Sequence, residues 1–175
     1  MKQFENIYLI GLMGAGKTTV GRQLAKILKF PFYDSDKAIE ESTGVDIPTI
    51  FEFEGESGFR LREQRMIETL TDLRGIVLAT GGGTILLEEN RVYLKKTGFV
   101  VYLQCSVEKI LQRTRKDTLR PLLQTENRRQ KIKQLFQERN PYYLECADYT
   151  INTGNLSNKI VIKDILNAYQ TKTPS

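Results

Sequence analysis

Gly11-Leu12-Met13-Gly14-Ala15-Gly16-Lys17-Thr18 decides how the chain is read. It has the form G-x-x-x-x-G-K-T, the Walker A or P-loop pattern. Ile7-Tyr8-Leu9-Ile10 precedes it, an apolar run that reads as a buried strand. A helical pattern follows, with Val20, Leu24, Ile27 and Leu28 on one face. The residue types suit the chemistry. Glycines let backbone N–H groups approach phosphate oxygens, and the helix opening at Gly16 turns its positive end to the same anion. Lys17 adds a mobile charge for the β- and γ-phosphates, and the Thr18 hydroxyl is a ligand for Mg²⁺. Strand, loop and helix together predict a nucleoside triphosphate site.

The composition narrows what surrounds that site. The 175 residues fit one domain of ordinary size. No apolar run approaches the ~20 residues a membrane span needs. Met1-Lys2-Gln3-Phe4-Glu5 leads straight into the first strand, so no signal peptide is expected, and the two cysteines, Cys105 and Cys146, read as buried reduced thiols of a cytoplasmic protein. The chain has no histidine. That excludes Ser-His-Asp and Cys-His catalysis and any His-ligated metal, leaving carboxylate, Lys or Tyr as a general base. The net charge of +5 suits anionic substrates and also nucleic acid.

Outward from the P-loop, short apolar runs alternate with helical ones. Phe30–Tyr33 ends at Asp34-Ser35-Asp36, Ile76–Ala79 ends at Thr80-Gly81-Gly82-Gly83, and Phe99–Leu103 and Tyr149–Ile151 complete a set of five strands. Their apolar character is continuous, as in strands covered on both faces. A parallel α/β sheet with intervening helices is the economical fold. Ligands bind at the carboxyl ends of such strands, where the P-loop, Asp34/Asp36 and Gly81–Gly83 all fall. Further on, ten Lys/Arg between Lys109 and Arg139 face three acids, Asp117, Glu126 and Glu138. Asp117–Asn127 reads as a loop of lid-like length. Lys131–Glu145 reads as a helix broken or kinked at Pro141. Ser157–Tyr169 reads as a helix on the sheet, and Thr171–Ser175 as a frayed end.

Four features carry the remaining chemistry, each with a plainer alternative. Asp34 and Asp36, facing one way in an extended stretch, divide metal and substrate between them, or else cap the next helix. Arg60 and Glu63 pair at i, i+3, whether in a site or on a solvated face. Gly81-Gly82-Gly83 allows close backbone approach to a ligand, or forms a turn. Arg120-Pro121-Leu122 and Arg139-x-x-Tyr142-Tyr143 stand out only mildly in so basic a segment.

Together, in this order and over nearly the whole chain, these features resemble the shikimate kinase family. The resemblance implies a three-layer P-loop kinase fold: a five-stranded parallel sheet of order 2-3-1-4-5, flanked by helices, with a lid. It implies one domain over residues 1–175, with a substrate segment near 34–63 and the lid near 113–125. The implied reaction is ATP plus shikimate giving ADP plus shikimate 3-phosphate, on the route to chorismate and aromatic amino acids. Gly14, Ala15, Gly16, Lys17, Thr18 and Thr19 match the family's phosphate loop. Thr18 and Asp34 match its Mg²⁺ supports, the Asp commonly acting through water. Asp36 matches the residue on the shikimate hydroxyls. Arg60 matches the first clamp on the shikimate carboxylate and Arg139 the second. Gly81, Gly82 and Gly83 match the substrate loop. Arg120 matches the lid arginine over the phosphates, so Asp36, Lys17 and Arg120 are the implied catalytic set. Arg113 lies where the family stacks an Arg on adenine, and Asn152-Thr153 where its adenine loop begins. The spacing leaves Tyr142 and Tyr143 undecided. The implied partners are two small molecules, with no nucleic acid, no membrane and a monomeric chain. A gluconate-type P-loop kinase is the nearest rival, and an ATPase working on nucleic acid is a more distant one.

Overall fold

The computed structural model describes residues 5–118 and 120–172, and the side chain of Leu122 lies outside that description, as do residues 173–175 at the end expected to fray. Among the described residues, five parallel strands form one sheet in the order β2-β3-β1-β4-β5. They are β1 (Asn6–Ile10), β2 (Phe32–Asp34), β3 (Val77–Ala79), β4 (Gly98–Gln104) and β5 (Tyr149–Asn152). The helices that join and follow them are α1 (Lys17–Leu28), α2 (Ser35–Thr43), α3 (Ile47–Thr71), α4 (Glu88–Thr97), α5 (Val107–Thr114), α6 (Arg128–Cys146) and α7 (Asn158–Lys172). The sheet order is the one the resemblance implies. β1 lies at the centre, with Tyr8 opposite Leu78 on one side and Val100 on the other.

The continuously apolar strands are covered on both faces. β1, β3 and Phe99–Leu103 of β4 are fully buried and carry most of the core, whereas the outermost strands β2 and β5 are only partly covered. Both cysteines are buried and unpaired. None of the described helices is long and apolar enough to cross a membrane.

Four local expectations need correction. Asp34 and Asp36 do not share an extended stretch: Asp34 closes β2 and caps α2, and Asp36 already lies in the first turn of α2. α6 starts at Arg128 and runs through Pro141 without a break. Pro141 and Gln137 are both exposed, so the carbonyl that loses its donor has access to water. The segment from Asp117 to Asn127 is not all loop, since Pro121–Leu123 forms a 3-10 turn. α7 continues through Thr171 to Lys172, whose ammonium donates to the Asp148 carbonyl at 2.8 Å. On that helix Val161, Ile162 and Ile165 are buried, but Ile160 is exposed.

Candidate active site

The loops that follow the strand ends meet around one cavity of about 690 Å³. Thr18, Asp34, Asp36, Arg60, Glu63, Gly81–Gly83, Arg113, Arg120 and Arg139 all line it, so segments up to 121 residues apart in the chain converge as the strand ends predicted.

The phosphate side is built by β1 and α1. Gly16, at φ 96, turns the chain into α1, a backbone shape in which a side chain would be strained. Lys17 is buried and donates to the carbonyls of Gly11 at 2.5 Å and Leu12 at 2.8 Å. Burial pulls its ammonium down to about 7, with the Arg120 charge pushing the same way. The Ala15 N–H donates to the Leu12 carbonyl at 3.2 Å. Thr18 donates its hydroxyl to Asp34 Oδ2 at 3.0 Å, while Asp34 Oδ1 accepts from the N–H groups of Asp36 and Lys37. The capping and site readings of Asp34 are therefore both true, one for each oxygen. Thr19 lies exposed in the first turn of α1.

The acceptor side is assembled from α2, α3, the loop after β3, and α6. α3 is interrupted at Gly55, and its second limb carries Arg60 and Glu63. Glu63 is fully buried, which excludes the solvated-face reading. It accepts from Arg60 at 2.8 Å and from the Thr84 hydroxyl at 2.9 Å. A methyl group on Gly81 would stand 2.7 Å from Asp36 Oδ1 and 2.8 Å from Glu63 Oε2, and one on Gly83 would overlap the Arg60 guanidinium. The glycine run is thus the floor on which two carboxylates and an arginine are set. Burial raises the Asp36 carboxyl to about 7, and the nearby charges of Glu63 and Asp34 add to the effect.

Arg139 is 2 % exposed and lies close to Gly82. Tyr143, one helical turn on, donates its hydroxyl to the Gly82 carbonyl and stacks on Tyr102 at 4.8 Å. Tyr142 is partly exposed beneath Arg91. Tyr143 is therefore the member of that pair beside the cavity, as its i+4 spacing from Arg139 could have indicated. Among the described residues, four buried side-chain atoms lack a protein hydrogen-bond partner. Asp36 Oδ1, Arg60 Nε and Arg139 Nε belong to cavity residues, and Asn90 Oδ1 to a residue outside it.

The lid and nucleotide margins complete the arrangement. Arg120 pairs with Asp117; its charge bears on Lys17, and the carboxylates of Asp36 and Asp34 act on Arg120 itself. Arg113, in the last turn of α5, donates to the Gly14 carbonyl at 3.1 Å, joining that helix to the P-loop. Asn152 lines a second cavity of about 460 Å³ with Ser106, Lys109, Gln112 and Gly154. Thr153 is buried and donates its hydroxyl to the Gln104 carbonyl at 3.2 Å, so it lies behind that surface.

Three supporting residues escaped the sequence reading: Ser35, Thr84 and Tyr143 as distinct from Tyr142. Ser35 is fully buried, and its hydroxyl accepts the Gly81 N–H at 3.0 Å, tying α2 to the glycine loop. Only its place between two aspartates marked it.

A P-loop on the central strand, a buried carboxylate facing it and an arginine-bearing lid between define an ATP-dependent phosphotransferase of the small-molecule kinase class. The shikimate kinase family model matches residues 13–170. The shikimate kinase of Methylococcus capsulatus is 56% identical over 97% of this chain and 95% of its own, and that of Thioalkalivibrio sulfidiphilus is 55% identical over 97% and 90%. The shikimate kinase from Acinetobacter baumannii, solved in complex with shikimate, superposes with a TM-score of 0.95 at 50% identity, covering 98% of this chain and 96% of that one. The chain belongs to the shikimate kinase family.

Proposed function

We propose that this chain transfers the γ-phosphoryl group of ATP to the 3-hydroxyl of shikimate, with the acceptor held between Arg60 and Arg139. One observation carries the assignment of residues. Among the described residues, the buried atoms left without a protein partner in the cavity are two arginine donors and one carboxylate acceptor, the set that a small hydroxylated carboxylate satisfies. Arg60 and Arg139, from different helices, fix the carboxylate. Asp36 Oδ1 accepts the hydrogen bond of the attacking hydroxyl. As the O–P bond forms, the bond to ADP breaks and the hydroxyl proton passes to Asp36, whose carboxyl near 7 suits that exchange at neutral pH.

Gly14, Ala15, Gly16, Lys17, Thr18 and Thr19 hold the triphosphate. Lys17 and Arg120 neutralise charge on the transferring group, which in a loose transition state carries much of the rate. Arg113 and the Asn152-Thr153 segment border the adenine. The hydroxyl of Thr18 and the carboxylate of Asp34 are hard oxygen donors already 3.0 Å apart and fit Mg²⁺, which binds through few protein ligands plus phosphate and water. Bound there, the ion offsets charge on the β- and γ-phosphates. Binding of shikimate and of its methyl ester, compared by calorimetry, tests the clamp. The ester, lacking the charge both arginines require, binds at least ~100-fold more weakly. Equal affinity for acid and ester contradicts the assignment of Arg60 and Arg139.

A further inference from the structure

The resemblance assigns no role to Arg128, the first residue of α6, yet its guanidinium donates to four backbone carbonyls of the segment before it. Nη1 donates to the carbonyls of Thr114 at 2.8 Å and Arg115 at 2.9 Å, where α5 ends. Nη2 donates to the Asp117 carbonyl, and Nε to that of Leu123 at 3.3 Å. Carbonyls at a helix end have no partner within the helix, and they favour a cation. Here one cation meets the end of α5 and both limbs of the segment that follows.

Arg120 lies between two of these anchor points. On one side its backbone N–H donates to Asp117 Oδ1 at 3.2 Å, and its guanidinium pairs with the same carboxylate. On the other, the Leu123 N–H donates to the Arg120 carbonyl at 3.1 Å. Asp117 and Leu123 are both held through their carbonyls by Arg128. We infer that Arg128 is the positioning residue of the lid: by tying the α5 end, Asp117 and Leu123 together, it holds Arg120 at the P-loop. Arg128 itself does not line the cavity. The inference rests on the role given to Arg120 above.

A planar fork with nitrogens pointing three ways is required for this, and a single ammonium cannot reproduce it. Arg128→Lys keeps the charge and most of the bulk, so it isolates the geometry. The test is a double-mutant cycle of Arg128→Lys and Arg120→Ala, measuring kcat and the dissociation constant of shikimate. Arg120→Ala lowers kcat by roughly 100-fold, and Arg128→Lys lowers it by roughly tenfold, with shikimate affinity within about twofold for each. The double variant has the kcat of Arg120→Ala alone, because Arg128 acts only through Arg120. A residue that merely stabilises the fold gives no such masking. If Arg128→Lys keeps parental kcat while Arg120→Ala loses it, the inference about Arg128 fails and the role of Arg120 stands. If the two losses multiply, Arg128 acts by another route and the inference also fails. An Arg120→Ala variant with parental kcat overturns both.

Discussion

The two sides of the cavity differ in how their polar groups are satisfied. On the phosphate side the chain answers its own needs: Lys17 bonds to Gly11 and Leu12, and Thr18 to Asp34. On the acceptor side Asp36 Oδ1, Arg60 Nε and Arg139 Nε are buried without a protein partner. The P-loop is a generic device that any triphosphate can enter by displacing its internal contacts. The acceptor pocket holds desolvated groups whose cost is offset only by a ligand of matching charge and hydroxyl placement. Under the proposed function, selectivity therefore resides in Asp36, Arg60 and Arg139 rather than in Gly11–Thr18.

Substitution of Asp36 breaks that contrast most sharply. Asp36→Asn leaves ATP binding within about twofold but lowers kcat by ~1000-fold or more, since the carboxylate given the hydroxyl proton is lost. Steady-state turnover with shikimate, together with nucleotide titration, measures both. Turnover within tenfold of the parent contradicts the role of Asp36.

The same substitution has an opposite effect on stability. Asp36 keeps its proton to about pH 7 in the folded chain, against an ordinary 3.8. Ionising it therefore costs stability above pH 7, and the cost disappears as the pH falls toward 4. Asp36→Asn raises Tm at pH 8 by a few degrees, and the gain vanishes near pH 4. Thermal melts at both values check this, and a gain independent of pH contradicts the burial argument. A smaller effect comes from Glu63, whose charge helps to raise the Asp36 carboxyl. Glu63→Gln moves the acid limb of kcat/KM for shikimate to lower pH, because removing a neighbouring negative charge eases ionisation of Asp36. An unmoved or raised limb contradicts the coupling.

The same contrast explains what the sequence could reveal. The phosphate side is one run of eight residues between a strand and a helix, so its pattern is local and readable. The inner strands were equally plain because both faces are apolar. The acceptor side depends on contacts between distant segments. Gly81 reaches Ser35 across 46 residues, Thr84 reaches Glu63 across 21, and Tyr143 reaches Gly82 across 61. Such links leave no local signature, and the family resemblance rather than spacing pointed to Arg60 and Arg139. Asp34 misled the reading of its own segment because it ends a strand, caps a helix and accepts from Thr18 at once. Pro141 suggested a break that exposure makes unnecessary. Arg128 was one of six arginines among ten cationic residues in its segment, and its position over four carbonyls became visible only in three dimensions.

ADP release with Mg²⁺ and ATP, compared for shikimate, for open-chain polyol acids such as gluconate, and without acceptor, tests the central claim most directly. Release with shikimate is at least ~100-fold above both other conditions, because only a rigid hydroxylated carboxylate meets Arg60, Arg139 and Asp36 together. Comparable release with gluconate, or release independent of any acceptor, contradicts the assignment of selectivity to the acceptor pocket.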